Sequence, residues 1–345
     1  MAEQLTERER RVLEAVIQAY VETAEPAGSR TLSRKFGLGV SPATIRNTMS
    51  DLEDKGYLSH PHTSAGRVPT DLAYRVYVDQ LMRVMPMDAH TRSRLRDELQ
   101  VDGTAFETIL RRAAQTLGVL THELGVALGP RLDELVLEKL ELIRLSAERL
   151  LLVLHLRGGA AHTLFVEAPV QVAETALAKV ALVLNERLSG LRLKEIRSTL
   201  PERLRDAEAA SDAQELLNIF IQGGEQLFEV PPTVGPDVLL GQASVLAEQP
   251  EFASGESLRT LLALTDQPRA LGEVLRRRAP NAGISITIGA EHDEPTLQRL
   301  TVVTAEYQLN GLAGIIGVIG PTRMPYDKVV SLVTHTSRLI TDLIA

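Results

Sequence analysis

The dipeptide Ser41-Pro42 constrains the fold of the N-terminal part of the chain more than any other feature. A serine hydroxyl can accept a free N–H group of a helix, and proline fits the first helical position, so the pair predicts a helix start. This helix is predicted to run to about Lys55 and to stop at Gly56. Two shorter helices precede it, one after a capping box that starts at Thr6 and one over residues 30–36. Three short helices with a tight turn before the third are typical of a helix-turn-helix.

The third predicted helix separates an apolar stripe from a polar face. Ile45, Met49 and Leu52 share the stripe and are expected in the core. On the other side, small residues would allow close approach to a major groove, where arginine reads guanine and asparagine reads adenine. The alternative is an ordinary solvated face. With Arg30 from the second helix, the candidate DNA contacts here are Ser41, Ala43, Thr44, Arg46, Asn47 and Ser50.

A short hairpin is predicted directly after these helices. Residues 57–60 and 67–68 have the pattern of two strands, and residues 61–66 that of a turn. Its hydroxyl, imidazole and guanidinium groups suit backbone phosphate or a minor groove. His60 and His62 could instead ligate a metal, although no third ligand lies nearby in the sequence. The candidate DNA contacts of the hairpin are His62, Thr63, Ser64 and Arg67.

The charge distribution is compatible with a polyanion partner although the whole chain carries −8. Between Pro26 and Arg67 there are six basic and three acidic residues, a net charge of +3. The field that a phosphate meets is local, because salt screens charges beyond roughly 8–10 Å. An ordinary fluctuation of charge along the chain would give the same count.

The amino-acid composition excludes several classes of protein and site. The 345 residues suggest two or three domains, and only 3% are aromatic, so the cores are expected to be aliphatic. The absence of cysteine excludes disulfides, cysteine-based zinc sites and thiol catalysis. The chain has neither a signal-peptide pattern nor a long apolar stretch, which predicts a soluble cytoplasmic protein without a membrane partner.

The rest of the chain is predicted to be α+β, with an antiparallel sheet and helices in two layers. Residues 89–128 have apolar positions at helical spacing, and the period changes to strands after Gly129-Pro130. Possible strands lie at 191–196 and 238–247. Other predicted strands are 137–145, 149–156, 162–167, 284–289, 300–307 and 312–319, and other predicted helices are 70–84, 172–188, 213–228, 256–264 and one from Tyr326.

The sequence offers no set of residues that argues for an enzyme. The glycine-rich run at 311–323 invites a nucleotide-loop interpretation, but Pro321 stands where a phosphate-binding loop needs lysine. Its alternation instead predicts a buried strand with closely packed glycines. The eight histidines are scattered and form no recognised catalytic or metal motif. We therefore expect no catalytic residue, no metal and no cofactor.

Three blocks of the sequence are specific enough to compare with a known family. They are EPAGSRTL at 25–32, SPATIRN at 41–47 continuing through HTSAGRVPT at 62–70 and YR at 74–75, and GVIGPTRM at 317–324. Together they resemble the HrcA family of bacterial heat-inducible transcription repressors. The middle third matches weakly. Elsewhere the departures are slight, with Ala27 where the family usually has valine and Ala73 where it often has glycine.

The resemblance implies a DNA-binding repressor of heat-shock chaperone operons. Such a protein binds double-stranded DNA at an inverted-repeat operator as a homodimer, and a GroEL-type chaperonin maintains its activity. The implied fold is an N-terminal winged helix-turn-helix at 1–84 and a GAF-like antiparallel sheet domain at 85–169 and 266–345. An inserted α/β dimerisation domain at 170–265 would interrupt the GAF-like domain.

Two other classes of function are alternatives to this one. GAF folds often bind small ligands, so the chain could be a metabolite-sensing winged-helix regulator with a pocket in the GAF-like body. It could also be an enzyme carrying an accessory winged helix, but the catalytic motifs for that are missing. A ligand titration followed by melting temperature would separate the sensor from a temperature-driven repressor.

Overall fold

The computed structural model describes twelve segments of the chain. Its contacts divide the chain into two compact units. The first unit comprises Met1–Leu128, Val238–Tyr307 and Ile315–Leu343, and the second comprises Gly129–Asp237, Gln308–Gly314 and Ile344–Ala345. No helix in the described part is long and apolar enough to cross a membrane. The described segments are 5–61, 66–84, 86–100, 106–130, 134–146, 148–157, 161–167, 173–205, 211–228, 238–277, 283–309 and 312–344.

Three helices and a small hairpin open the first unit, and residues 5–81 are called the head below. The helices are α1 (Glu7–Thr23), α2 (Ser29–Lys35) and α3 (Pro42–Asp54), followed by strands β1 (Leu58–Ser59) and β2 (Val68–Pro69) and by α4 (Asp71–Val76), which continues as a π-helical turn over Tyr77–Leu81. The capping box of Thr6 with Glu9 and the N-cap of Ser41 are both present, so the two predicted helix starts are confirmed.

The hairpin is fastened to the loop after α1 by backbone contacts. Ala27 and Arg67 exchange two hydrogen bonds, with N···O distances of 2.8 and 3.0 Å. Gly66 comes so close to this loop that a Cβ there would overlap the carbonyl groups of Pro26 and Ala27. Only glycine allows the approach, because any side chain would push the hairpin off the loop.

A five-stranded antiparallel sheet forms the centre of the first unit, in the order β7-β3-β10-β9-β8. α6 packs against Gly125 on one face of β3, where a Cβ would overlap the backbone of Ala114. Leu124, Val126 and Leu128 point to the other face, into an apolar cluster shared with α11 and α12. The strands are β3 (Leu124–Leu128), β7 (Val238–Leu240), β8 (Ile284–Ile288), β9 (Leu300–Leu309) and β10 (Leu312–Pro321), and the helices are α5 (Ala89–Leu99), α6 (Phe106–Thr121), α10 (Ser244–Ala247), α11 (Gly255–Asp266), α12 (Pro268–Arg277) and α13 (Tyr326–Ile344).

The second unit is a three-stranded antiparallel sheet in the order β4-β5-β6, with helices packed on one face. Alternate residues of the central strand, such as Leu150, Leu152 and Leu154, are buried under those helices. Asn185 binds both the N–H and the carbonyl of Leu140 and so closes the outer edge of β4. The elements are β4 (Leu137–Arg144), β5 (Arg149–Leu156), β6 (Ala161–Glu167), α7 (Glu174–Leu188), α8 (Leu193–Leu204) and α9 (Ser211–Leu227).

Several predicted elements are wrong. The helical run predicted to reach 128 ends at Thr121, and the apolar residues that follow form β3; a short apolar run fits a buried strand or a helix equally well. The strand predicted at 191–196 is the start of α8, whose buried residues recur every three or four positions. Only the first three residues of the strand at 238–247 are extended, and α12 was missed.

The bounds of the two units differ from the predicted division into four domains. The second unit begins at Gly129 and ends at Asp237, apart from short additional segments, whereas the predicted insertion spans 170–265. The mixture of helices with several antiparallel sheets agrees with the predicted α+β class. The four-domain division itself stays a prediction.

Candidate nucleic-acid interface

α3 is held in the head by the apolar stripe that its sequence predicts. Ile45, Met49 and Leu52 are buried, which confirms their assignment to the core. Thr48 is buried as well, and its hydroxyl donates to the carbonyl of Thr44 at 3.1 Å. This side of α3 packs against α1 and α2, so the opposite side is turned outward.

The outward side of α3 carries five exposed candidate residues. Arg46 and Asn47 lie in its middle, and neither side chain has a hydrogen-bond or ion-pair partner among the described residues. Donor and acceptor groups without partners inside the protein are free to bind base edges. The exposed set is Ser41, Ala43, Arg46, Asn47 and Ser50.

The N-terminus of α3 uses two of the candidate hydroxyls for its own structure. The Ser41 hydroxyl accepts the N–H of Thr44 at 3.1 Å and lies 2.9 Å from the Thr44 hydroxyl. Thr44 is half-buried, unlike the other candidates on this face. These two residues therefore shape the end of the helix, and a ligand would meet hydroxyls that are already hydrogen-bonded.

The basic residues from α2 to the hairpin fall into two groups. Lys35, Lys55 and Arg67 form ion pairs with Glu22, Glu9 and Glu53. In contrast, three exposed arginines of this part of the head have no acidic partner within the segments described. They are Arg30 and Arg34 on α2 and Arg46 on α3.

Arg34 was not among the residues selected from the sequence. It lies four positions after Arg30 in α2, so the two side chains project from the same side of that helix. The i,i+4 spacing was the available signal. α2 packs against α3, so the exposed arginines lie on two neighbouring helices of the head.

Lys55, directly after α3, fastens that helix to α1. Its ammonium group lies 2.9 Å from the Glu9 carboxylate, which also accepts the N–H of Thr6 at 2.7 Å. Burial raises the pKa of Glu9, but the hydrogen bonds from Thr6 and Lys55 outweigh it, so the pKa lies below its ordinary value. α3 is thus held at both ends, by its cap at Ser41 and by Lys55.

The hairpin contributes Arg67, which is half-buried and pairs with Glu53. His60 binds the same carboxylate. Burial raises the pKa of Glu53, but the hydrogen bond from His60 and the charge of Arg67 outweigh it, so this pKa is also low. The candidates His62, Thr63 and Ser64 lie outside the described residues. Within the part described, no three His, Asp or Glu side chains converge as a metal site.

The glycine-rich run near the C-terminus forms β10, as the sequence predicted. Gly317 packs against the backbone of Val303 and Thr304, and Gly320 packs against the Glu123 carboxylate. A Cβ at either glycine would overlap these atoms. The glycines therefore serve close packing of a strand rather than a phosphate-binding loop.

Comparisons with known proteins give one consistent family. A family model described as the HrcA protein C terminal domain matches residues 107–330. The heat-inducible transcription repressor HrcA of Chlorobium phaeobacteroides strain BS1 is 39% identical, with 97% of each chain covered. The protein of that name from Geobacter sulfurreducens is 36% identical, with 99% of this chain and 98% of the relative covered.

One solved structure shares the fold over the whole chain. It is described as a hypothetical protein at 2.2 Å resolution and has a TM-score of 0.60. The alignment covers 99% of this chain and 100% of that chain at 22% identity. At this identity the likeness concerns the fold alone.

Proposed function

The chain belongs to the HrcA family of heat-inducible transcription repressors, and we propose that it represses by binding an inverted-repeat operator through the outward face of α3. The observation that carries this proposal is the placement of Arg46 and Asn47. Both are exposed in the middle of a helix whose other side is buried, and neither has a partner among the described residues. Arginine and asparagine at such positions suit bidentate contacts with guanine and adenine.

The head would then act as a winged helix-turn-helix. In this arrangement α2 and α3 are the helix pair, α3 lies in the major groove, and the β1–β2 hairpin is the wing. The unpaired Arg30 and Arg34 on α2 would meet backbone phosphates and fix the register of α3. The predicted wing contacts His62, Thr63, Ser64 and Arg67 belong to the same proposal.

We propose that the homodimer forms through the open face of the sheet in the second unit, so the dimerisation domain would begin before residue 170, where the family resemblance placed its start. Ile143, Leu151 and Phe165 are paired across β4, β5 and β6, in one row. Phe165 is 71% exposed, and Ile143 is exposed as well. A row of apolar side chains on the face opposite the helices suits a two-fold contact with a second copy. An inverted-repeat operator requires such a pair, because each head binds one half-site.

The remaining parts of the proposal rest on the family resemblance. The central sheet of the first unit would be the GAF-like body, the operator would precede chaperone genes, and a GroEL-type chaperonin would maintain the active repressor. The metabolite-sensing alternative is not favoured, because the relatives are named heat-inducible repressors. We propose no catalytic role.

A band shift on DNA upstream of this protein's own operon and of chaperonin genes tests the proposal. Wild-type protein should bind the inverted repeat and not a scrambled repeat. Arg46→Ala should weaken that binding, whereas Arg94→Ala should not. Arg94 is a matched control, because it is an exposed arginine on α5, outside the head. Equal binding of repeat and scramble by the folded wild type would reject the proposal.

A further inference from the structure

Two arginines join the head to the rest of the first unit. One lies in the head and binds residues outside it, and the other lies outside the head and binds a residue within it. The first is Arg75 on α4. Its Nε and Nη2 donate to the two carboxylate oxygens of Glu291 at 2.7 and 2.5 Å, and Nη2 also donates to the carbonyl of Ile286 at 2.7 Å. The guanidinium is therefore held by three bonds to β8 and the turn after it. Such a two-pronged contact restricts rotation as well as distance.

The turn after β8 is shaped to receive a second side chain of α4. Asp71 lies one helical turn before Arg75, and its carboxylate accepts the N–H of Ala290 at 2.9 Å. Gly289 has a φ of +48°, and a Cβ there would overlap the Asp71 carboxylate. The turn therefore needs glycine both for its backbone conformation and for this contact.

The second arginine, Arg323, follows β10 and reaches back into the head. It donates to both carboxylate oxygens of Glu251 at 2.5 and 3.0 Å and to the carbonyl of Val21 at 2.8 Å. Val21 is in the last turn of α1, where carbonyl groups lack helical partners. A cation there also interacts favourably with the helix dipole. Arg323 thus ties the C-terminal end of α1 to the short helix that contains Glu251.

The head is therefore held at two places, α4 and the end of α1. Neither place lies on the outward face of α3. Both contacts are made by planar guanidinium groups that are partly shielded from solvent, with side-chain exposures of 27% for Arg75 and 14% for Arg323. Together they fix the direction of α3 relative to the central sheet.

We propose that Arg75 and Arg323 are positioning residues that set the half-site spacing the repressor accepts. The proposal rests on the proposed function above. In a two-fold dimer, the distance and angle between the two copies of α3 determine which operator fits both. Adding one base pair between half-sites turns one of them by about 34° and moves it by about 3.4 Å. Releasing each head from the rest of the first unit would give its α3 additional freedom, so the dimer would tolerate such an operator better.

The test is a panel of inverted repeats whose central spacer is shortened or lengthened by one to three base pairs. Wild type, Glu291→Gln, Glu251→Gln and the double variant are titrated against each operator and against a single half-site. The measured quantity is the affinity for the operator with the best spacer divided by the affinity for the operator with a neighbouring spacer. We expect this ratio to fall by about threefold or more, as loss of a partly exposed ion pair suggests. Affinity for the single half-site should stay unchanged, because α3 is not altered.

Arg46→Ala is the matched control for this panel. It should weaken binding at every spacing and leave the ratio unchanged. If a glutamine variant does not fold, Arg75→Lys and Arg323→Lys replace it, because lysine keeps the charge but loses the two-pronged contact. If folded variants keep the wild-type ratio, the spacing role is wrong. If wild type shows no preference for an inverted repeat, the proposed function fails instead, which separates the two.

Discussion

Arg67, directly before β2, and Glu53 in the last turn of α3 form an ion pair, with 2.6 Å between Nη2 and Oε2. His60, which directly follows β1, binds the same carboxylate. The hairpin is therefore attached to α3 by side chains and to the loop after α1 by the backbone of Ala27. The angle of the hairpin is set by the same helix that we propose lies in the major groove.

The first prediction concerns Arg67. A guanidinium has five N–H donors, so Arg67 can pair with Glu53 and still donate to a phosphate. Arg67→Ala should weaken binding to all DNA sequences alike and lower the slope of log affinity against log salt by about one unit. Glu53→Gln is the control. It removes the ion pair but keeps the positive charge of Arg67, so the salt slope of this variant should not fall. An unchanged slope in Arg67→Ala, together with a lower melting temperature, would make Arg67 purely structural.

The second prediction concerns base readout by α3. Arg46→Ala and Asn47→Ala should each cost about 1–3 kcal/mol of specific binding, because a bidentate contact to one base is lost. The loss should appear at particular base pairs when singly substituted operators compete for the protein. Each variant should stop distinguishing the base that its side chain reads. If both folded variants keep the wild-type pattern of competition, α3 does not read those bases.

The helices of the head could be predicted because their signals are local. The cap at Ser41, the capping box at Thr6 and the stripe through Ile45 each depend on residues within one or two turns. The ion pairs and hydrogen bonds that join the head to the rest of the first unit could not be predicted in this way. Arg75 and Glu291 are 216 positions apart, and Arg323 and Val21 are 302 apart, so only the folded chain brings them together.

The same reasoning explains the errors in the body. Leu124–Leu128 is buried on both faces, so its side chains do not alternate between apolar and polar and resemble the helix before them. Leu191 and Leu193 alternate with Arg192 and Lys194 like a strand. Leu193, Ile196 and Leu200 show the helical period only over a longer window. Within the candidate site, the capping roles of Ser41 and Thr44 compete with the contacts predicted for them.

The third prediction concerns the proposed dimer. Phe165→Ser should dissociate it, because two exposed phenyl rings would no longer be buried at the two-fold contact. Sedimentation should then show a monomer, and binding should no longer require both half-sites. Leu182→Ser is the matched control, because Leu182 is 61% exposed on α7, in the helical layer of the same unit. A dimer that survives Phe165→Ser and dissociates with Leu182→Ser would place the interface on the helices.

The fourth prediction concerns Glu123, a carboxyl group that is 2% exposed. Burial raises its pKa well above 4.5, and a hydrogen bond from Gln249 opposes this only in part. Because the folded protein keeps this proton to a higher pH than the unfolded chain, Glu123 lowers stability as pH rises above 4.5. Glu123→Gln stays neutral, so its melting temperature should exceed that of wild type by a margin that grows with pH. A margin that shrinks as pH rises would contradict the raised pKa.

The last prediction concerns heat. The core of the second unit is almost entirely leucine, valine, isoleucine and alanine, and the whole chain is only 3% aromatic. Large aromatic side chains usually contribute much of the burial that stabilises a core, so this protein is expected to lose structure on modest warming. Partial unfolding would expose aliphatic surface that the folded protein buries, and such surface is what a chaperonin binds. We therefore expect operator binding to fall as light scattering rises.

The measurement heats purified protein through a modest range while operator binding and scattering are followed, with and without chaperonin and ATP. Chaperonin with ATP should restore binding after cooling and suppress scattering, because it captures the exposed surface before copies associate. If binding falls reversibly without scattering, and chaperonin changes nothing, then the repressor senses temperature through its own folded states. The concentration of free chaperonin would then not control operator binding.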